Sequence, residues 1–172
     1  RAFCAGGDIR NIYQERVDVS TQPHPFFHLE YRFNQFLYHF KKPYIALCDG
    51  ITMGGGVGVS IHGSHRVATP NMVWSMPETK IGFFPDVGVS FYLAKCPDYV
   101  GYYLALSGRS IDAVTAKQLG LVDVVVASDR LASLEDDLIN MEKVKAFNAL
   151  ERFNVTTPSF PNSPSRSSNN IS

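Results

Sequence analysis

The sequence predicts an α/β fold, and two observations carry the prediction. Residues 43–48 form a short apolar run bounded by turn residues, which indicates a buried strand. Residues 26–40 instead repeat apolar side chains at helical spacing. The glycines at 54–56 lie between this buried run and a segment of small residues at 57–62. We expect that segment to be a tightly packed helix. A strand that leads through glycines into a helix presents N–H groups that a ligand can approach closely.

The other elements follow from local signals in chain order. Before the buried run, these signals predict the end of a strand at 2–5, a turn at 6–8, a helix at 9–15 and a mobile loop at 17–25. After the glycines, they predict strands at 65–68 and 72–76 and an irregular connection at 77–86. Helices at 87–95, 99–106 and 110–120, a strand at 121–127 and an amphipathic helix at 129–148 complete the prediction. Asp86 is expected to cap the helix at 87–95. No internal repeat is visible.

Length and composition bound the possible functions. The chain has 172 residues and no formal net charge, so one domain is expected and a general attraction to nucleic acid or anionic membrane is not. No apolar run reaches the roughly 18 to 20 residues of a membrane-spanning helix. We expect a core domain at 1–150 and a disordered polar tail at 151–172, rich in serine, asparagine and proline. Because the chain begins with Arg1, we expect it to be part of a longer protein.

Several familiar motifs fail on particular residues. The glycines do not spell a dinucleotide fingerprint, and Gly56 stands where a phosphate loop requires lysine. A serine-hydrolase elbow around Ser60 fails because His62 replaces the last glycine. His24 and His28 are four residues apart but lack an evident third ligand, so no metal site is expected.

Two glycine turns, at 6–7 and 54–56, and two carboxylates, Glu78 and Asp86, remain in apolar surroundings. Paired N–H groups stabilise an enolate or a tetrahedral oxyanion, and a desolvated carboxylate has a raised pKa that suits acid–base work. This combination is sufficient for thioester chemistry. Ordinary turns and an N-terminal cap at Asp86 account for the same residues equally simply.

Taken together, residues 2–9, 54–56 and 76–78 resemble the crotonase (enoyl-CoA hydratase/isomerase) superfamily, with matching order and spacing from residue 1 to about residue 140. The resemblance implies a crotonase-like ββα spiral of the Clp-protease/crotonase type, here without the N-terminal strands of family members. Residues 50–58 and 77–88 further resemble the branch of the superfamily that hydrolyses 3-hydroxyisobutyryl-CoA in valine breakdown.

The resemblance also implies roles for individual residues. The N–H groups of Gly7 and Gly55 would form the oxyanion hole, and Glu78 would be the principal catalytic carboxylate. Asp86 would contact the substrate hydroxyl or position water. Glu30 matches a further substrate-binding position, so the substrate-binding set is Glu30, Gly55, Glu78 and Asp86. From its own surroundings, Glu30 could equally be a solvated surface carboxylate.

One departure from the pattern separates the activities within the superfamily. Hydratases carry a second glutamate shortly after the glycine triplet, and dienoyl-CoA isomerases carry an aspartate there, whereas this chain has Gly58. Paired-glutamate hydration therefore lacks a partner, and hydrolysis is favoured. Two alternatives stay open: an enoyl-CoA hydratase or isomerase, and an inactive fragment that keeps the fold.

The resemblance implies that coenzyme A belongs to the substrate and that no separate cofactor is needed. We expect an acyl-CoA as ligand, no nucleic-acid or membrane partner, and a chain compatible with a homo-oligomer. The implied compartment is the mitochondrial matrix, with the peroxisome as the alternative.

Overall fold

The computed structural model describes residues 2–15 and 24–140. Most of the loop predicted at 17–25, and the whole tail predicted at 151–172, lie outside the described residues. The predicted division at residue 150 therefore stays a prediction.

Two sheets form the frame. The first has the strand order β1 (Ala2–Cys4), β3 (Ile51–Met53), β5 (Val73–Ser75) and β6 (Ile111–Asp112), with β6 antiparallel to β5 and the other neighbours parallel. The second is parallel, in the order β2 (Ile45–Cys48), β4 (His65–Ala68) and β7 (Val124–Val125). The strands contain many β-branched and aromatic side chains, which suit a pleated, buried surface.

Seven helices lie in the described part of the chain. They are α1 (Ile9–Glu15), α2 (Pro25–Tyr38), α3 (Gly55–Ile61), α4 (Ser90–Leu93), α5 (Val100–Ser107), α6 (Ala113–Gln118) and α7 (Leu131–Asn140). Short 3-10 turns cover Glu78–Ile81, Pro97–Tyr99 and Ser128–Arg130. Asp112 caps α6, its carboxylate accepting a hydrogen bond from the N–H of Thr115 at 2.7 Å.

The main buried core is formed by residues of both sheets and of helices α3 to α6. Trp74, Ile61, Met72, Met76 and Leu104 are its largest fully buried side chains. A smaller cluster of Val67, Val124, Val126 and Leu134 packs α7 against the second sheet. Burial of these apolar side chains is the main stabilising contribution to the fold.

An ion pair ties the second sheet together. The guanidinium of Arg66 on β4 donates from Nε and Nη2 to the two carboxylate oxygens of Asp123, at 2.8 and 2.6 Å. The backbone N–H of Arg66 also donates to Asp123, at 2.7 Å. Burial alone would raise the pKa of Asp123, but the Arg66 contacts outweigh it and hold that pKa below its usual value.

The structure corrects three sequence expectations. The strand that leads into the glycines is β3, which belongs to a different sheet from β2, so the chain changes sheets at Gly50. Asp86 does not cap a helix at 87–95, because α4 begins only at Ser90 and has Val89 as its N-cap. The strand expected at 121–127 shortens to β7, since only Val124 and Val125 pair with β4.

Candidate active site

Three parallel strands place the predicted site residues at one edge of the first sheet. Gly6 and Gly7 follow β1, Gly54 and Gly55 follow β3, and Glu78 follows β5 after a short connection. Because parallel strands end at the same edge, segments separated by many residues in sequence meet there. Ligands of parallel α/β sheets usually bind at this carboxyl edge.

The two glycine turns touch each other. A Cβ atom added to Gly6 would lie 2.9 Å from the backbone nitrogen of Gly55, and Gly6 has a φ of +88°. Gly55 is the first residue of α3, and the first N–H groups of a helix have no acceptor within the helix. The turn after β1 thus approaches an N–H group that can face a ligand, which requires glycine at position 6.

Helix α3 also packs closely against the end of β1. A Cβ atom added to Gly56 would collide with the carbonyl group of Cys4. Gly54, before the helix, has a φ of +53°, and a Cβ added there would lie 3.0 Å from Oε1 of Glu78. Small residues are therefore needed wherever the helix, the turn and the carboxylate converge.

Glu78 is a buried carboxylate with an available oxygen. Its side chain is only 8% exposed, and among the described residues its Oε2 atom has no hydrogen-bond partner. Burial raises the pKa of Glu78 to about 7, a backbone N–H lowers it in part, and the negative charge of Asp86 raises it. A carboxyl group that titrates near neutrality can act as a nucleophile or a base under physiological conditions.

Glu30 on α2 reaches the same place. Its Oε1 atom lies so close to Gly55 that a Cβ added to that glycine would collide with it. Burial, followed by the charges of Asp86 and Glu78, raises the pKa of Glu30 to about 7. Glu30 is therefore half-buried at the site, and the solvated-surface interpretation of this residue is wrong.

Asp86 approaches from the loop after the 3-10 turn. Its Oδ2 atom accepts a hydrogen bond from the hydroxyl of Tyr31 at 2.7 Å. The next residue, Val87, has a φ of +45°, and its carbonyl accepts a hydrogen bond from Nε2 of His62 at 2.7 Å. Two helices therefore contact this loop: α2 through Tyr31, and α3 through His62, the residue that caps its C-terminal end.

A cavity of about 650 Å³ joins all five predicted site residues: Gly7, Gly55, Glu30, Glu78 and Asp86. Its remaining wall is largely apolar and includes Ile9, Ile12, Phe26, Phe27, Ile81 and Phe83. These side chains and Tyr31 were not predicted from the sequence to lie at the site. The helical spacing of α2 was a signal for Phe27, which lies three residues before Glu30 and four before Tyr31, so that each pair falls on neighbouring turns.

Gly58 has no room for a larger side chain. It is buried in α3, and an added Cβ would lie 2.7 Å from Cβ of Val87 and 3.0 Å from Oδ1 of Asn34. A Cβ contact of 2.7 Å essentially never occurs in real structures, so Val87 would have to shift to admit a side chain here. The packing therefore agrees with the absence of a carboxylate at this position.

Two structural features are absent from the described residues. No group of three or more histidine, cysteine, aspartate or glutamate side chains within 2–15 and 24–140 is arranged to hold a metal ion. In the same ranges, no helix combines the length and apolar character required to cross a membrane.

Comparison with known proteins gives a consistent family. The family model described as "Enoyl-CoA hydratase/isomerase" matches residues 1–171. The curated 3-hydroxyisobutyryl-CoA hydrolase, mitochondrial, of Xenopus tropicalis is 46% identical over 142 residues, which are 83% of this chain and 37% of that protein. The human protein of the same name is 46% identical over 143 residues, again 83% of this chain and 37% of the relative. The chain thus spans about two fifths of the length of these relatives.

Solved structures agree on the fold. A carnitinyl-CoA dehydratase from Mycobacterium thermoresistibile superimposes with a TM-score of 0.83 at 35% identity, covering 94% of this chain and 46% of that one. An enoyl-CoA hydratase from Rhodobacter sphaeroides 2.4.1 gives a TM-score of 0.70 at 34% identity, covering 95% and 46%. The crotonase-like α/β fold predicted from the sequence is confirmed.

Proposed function

Because the chain belongs to the enoyl-CoA hydratase/isomerase family, we propose that its site hydrolyses the thioester 3-hydroxyisobutyryl-CoA to 3-hydroxyisobutyrate and free coenzyme A. The observation that carries the proposal is the position of Glu78. This buried carboxyl group has a pKa near 7 and one oxygen without a hydrogen-bond partner among the described residues, and it lines the cavity together with both glycine turns.

The oxyanion hole is the first part of the proposed mechanism. The N–H groups of Gly7 and Gly55 bind the thioester carbonyl oxygen and stabilise the negative charge that develops on it. A donor of this kind contributes about 3 kcal/mol to transition-state stabilisation. The close approach of Gly6 to the Gly55 nitrogen supports this assignment, because it brings the two turns to one point.

Glu78 acts on the carbonyl carbon in one of two ways. As a nucleophile, its carboxylate forms a C–O bond, the C–S bond breaks, and coenzyme A leaves as a thiolate that takes up a proton. Water then hydrolyses the resulting anhydride, releasing the acid and restoring Glu78. As a base, Glu78 takes a proton from a water whose oxygen attacks the carbonyl carbon. The C–S bond then breaks, and coenzyme A leaves as a thiolate that takes the proton back from Glu78. In both routes Asp86 holds the 3-hydroxyl and assists proton transfer, while Glu30 lines the acyl site.

Hydration is the second candidate, since the solved structures similar to this chain include a dehydratase and a hydratase. The packing around Gly58 opposes it. Paired-carboxylate hydration would need a second acidic side chain there, where even a Cβ would lie 2.7 Å from Val87. The three remaining carboxylates, Glu30, Glu78 and Asp86, suffice for hydrolysis.

The relatives also support a setting for this activity. They are named mitochondrial, and we propose the mitochondrial matrix as the compartment and valine catabolism as the pathway. Coenzyme A enters as part of the substrate, so the proposed steps need no additional cofactor. A homo-oligomer is compatible with the proposal.

The test is thiol release from 3-hydroxyisobutyryl-CoA by this chain, measured beside hydration of crotonyl-CoA. We expect thiol release without hydration. Glu78→Gln should lower the turnover number by at least about 100-fold with little change in thioester binding, because it removes the reacting carboxylate and keeps its shape. Hydration without thiol release, no reaction with either thioester, or full turnover by Glu78→Gln would each refute the proposal.

A further inference from the structure

Tyr31 lies beside the proposed catalytic carboxylates but takes no part in the proposed hydrolysis steps. Its hydroxyl donates to Oδ2 of Asp86 at 2.7 Å, joining residues that are 55 positions apart in sequence. A hydrogen bond to a charged carboxylate is stronger than one between neutral groups. Burial, and then the contact with Asp86, raise the pKa of Tyr31 above its ordinary value, so the phenol keeps its proton at neutral pH.

The backbone around Asp86 is also held in place, so that the carboxylate has a defined position. His62 donates to the Val87 carbonyl at 2.7 Å, and the N–H of Val89 donates to the Asp86 carbonyl at 3.0 Å. Burial lowers the pKa of His62, which favours the neutral ring, although its contact with the Val87 carbonyl opposes this. Among the described residues, the Tyr31 hydroxyl donates the hydrogen bond that the Asp86 carboxylate accepts.

Asp86 lines the cavity with one oxygen already engaged. An ionised carboxylate has only acceptor sites, so Oδ1 is left to accept a hydrogen bond from a ligand. The matching ligand group is a donor such as a hydroxyl. A thioester without a hydroxyl would leave this oxygen without a partner in a largely apolar cavity, which disfavours its binding.

We propose that Tyr31 is a positioning residue that fixes the Asp86 carboxylate so that the site selects 3-hydroxyacyl thioesters over their non-hydroxylated counterparts. This inference rests on the proposed function and adds to it a determinant of substrate class. Tyr31 acts through Asp86 and does not need to touch the reacting carbonyl.

The test is Tyr31→Phe, which removes the hydroxyl and keeps the ring. We expect kcat/KM for 3-hydroxyisobutyryl-CoA to fall by about 10- to 100-fold, the range for losing a hydrogen bond to a charged group. For isobutyryl-CoA, which lacks the 3-hydroxyl, kcat/KM should stay within about twofold, so that the preference between the two thioesters collapses. Tyr38→Phe is the matched control, since Tyr38 lies two turns further along α2 and outside the cavity.

Binding provides a second readout that does not depend on turnover. In a Glu78→Gln background, Tyr31→Phe should weaken binding of 3-hydroxyisobutyryl-CoA by about tenfold and leave isobutyryl-CoA binding unchanged, as measured by calorimetry. Equal losses for both thioesters, or no loss for either, would overturn the role of Tyr31 and leave the hydrolase proposal standing. If the parent chain neither binds nor cleaves either thioester, the proposed function fails, and this inference fails with it.

Discussion

Removing the carboxylate of Glu78 should stabilise the protein at alkaline pH. The pKa of this group is raised from 4.5 to about 7, first by burial. The folded state therefore binds the proton more tightly than the unfolded chain, and stability falls as pH rises from about 4.5 to about 7. Above pH 7 the folded state carries the full unfavourable free energy of a charged carboxylate in this cavity.

The size of the effect follows from the shift. About 2.5 pKa units at 1.36 kcal/mol each give a ceiling of about 3 kcal/mol, and solvent in the open cavity reduces it. We expect Glu78→Gln to raise the free energy of unfolding at pH 8 by about 1–3 kcal/mol. For a chain of this size, that corresponds to about 2–10 °C in Tm.

Thermal unfolding followed by circular dichroism at pH 4.5 and pH 8 measures the difference. The gain from Glu78→Gln should be nearly absent at pH 4.5, where wild-type Glu78 is protonated in the folded state. Glu135→Gln, which makes the same change at an exposed position of α7, should leave Tm within about 1 °C at both values. A variant that is less stable than wild type at pH 8, or equally stabilised at both pH values, would refute the reasoning.

Three further predictions concern the site and the frame. The acidic limb of the pH–rate profile should lie near pH 7, because the proposed reaction requires ionised Glu78. Asp86→Asn should move this limb to lower pH, since it removes a negative charge that raises the pKa of Glu78. Gly56→Ala should cost about 2–4 kcal/mol in a urea titration, because its methyl group would collide with the Cys4 carbonyl; an unchanged midpoint would contradict the packing described. Asp123→Asn should lower the free energy of unfolding by about 2 kcal/mol at pH 7, since it weakens the contacts with Arg66. This loss of stability should shrink as pH falls through the lowered pKa of the wild-type aspartate. A loss that does not depend on pH would argue against this ion pair.

Much of the fold was predictable from the sequence because its signals are local. The buried run that became β2, the helix at Ile9–Glu15 and the opening of α3 by glycines each depend on a few neighbouring residues. The grouping of Gly7, Gly55 and Glu78 was predictable only through the family resemblance. Nothing in their spacing states that β1, β3 and β5 lie side by side.

What the sequence did not predict depends on contacts between distant segments. The apolar spacing at 26–40 predicted the helix but not which of its side chains are buried. Leu29 and Phe36 are 70% and 55% exposed, and the buried positions include the polar residue Asn34. Asp86 looked like a helix cap because capping residues are recognised from neighbours in sequence. Its contact with Tyr31 is set by the tertiary packing of α2 against the loop and is invisible to such patterns.

The position of β1 in the first sheet has a consequence for how the protein would lose function. Within the described residues, β1 is a terminal strand of its sheet and pairs only with β3, at Ala2 and Cys4, so few hydrogen bonds hold it. Segments of this kind open locally at a lower free energy than the whole domain unfolds. Such an opening would withdraw Gly7 from Gly55 while the single tryptophan, Trp74 on β5, stayed buried. Mild denaturant should therefore abolish the proposed thioesterase activity before tryptophan fluorescence changes. Among the described strands, amide hydrogen exchange should be fastest in β1, which leads into the turn that carries Gly7, a proposed oxyanion-hole donor.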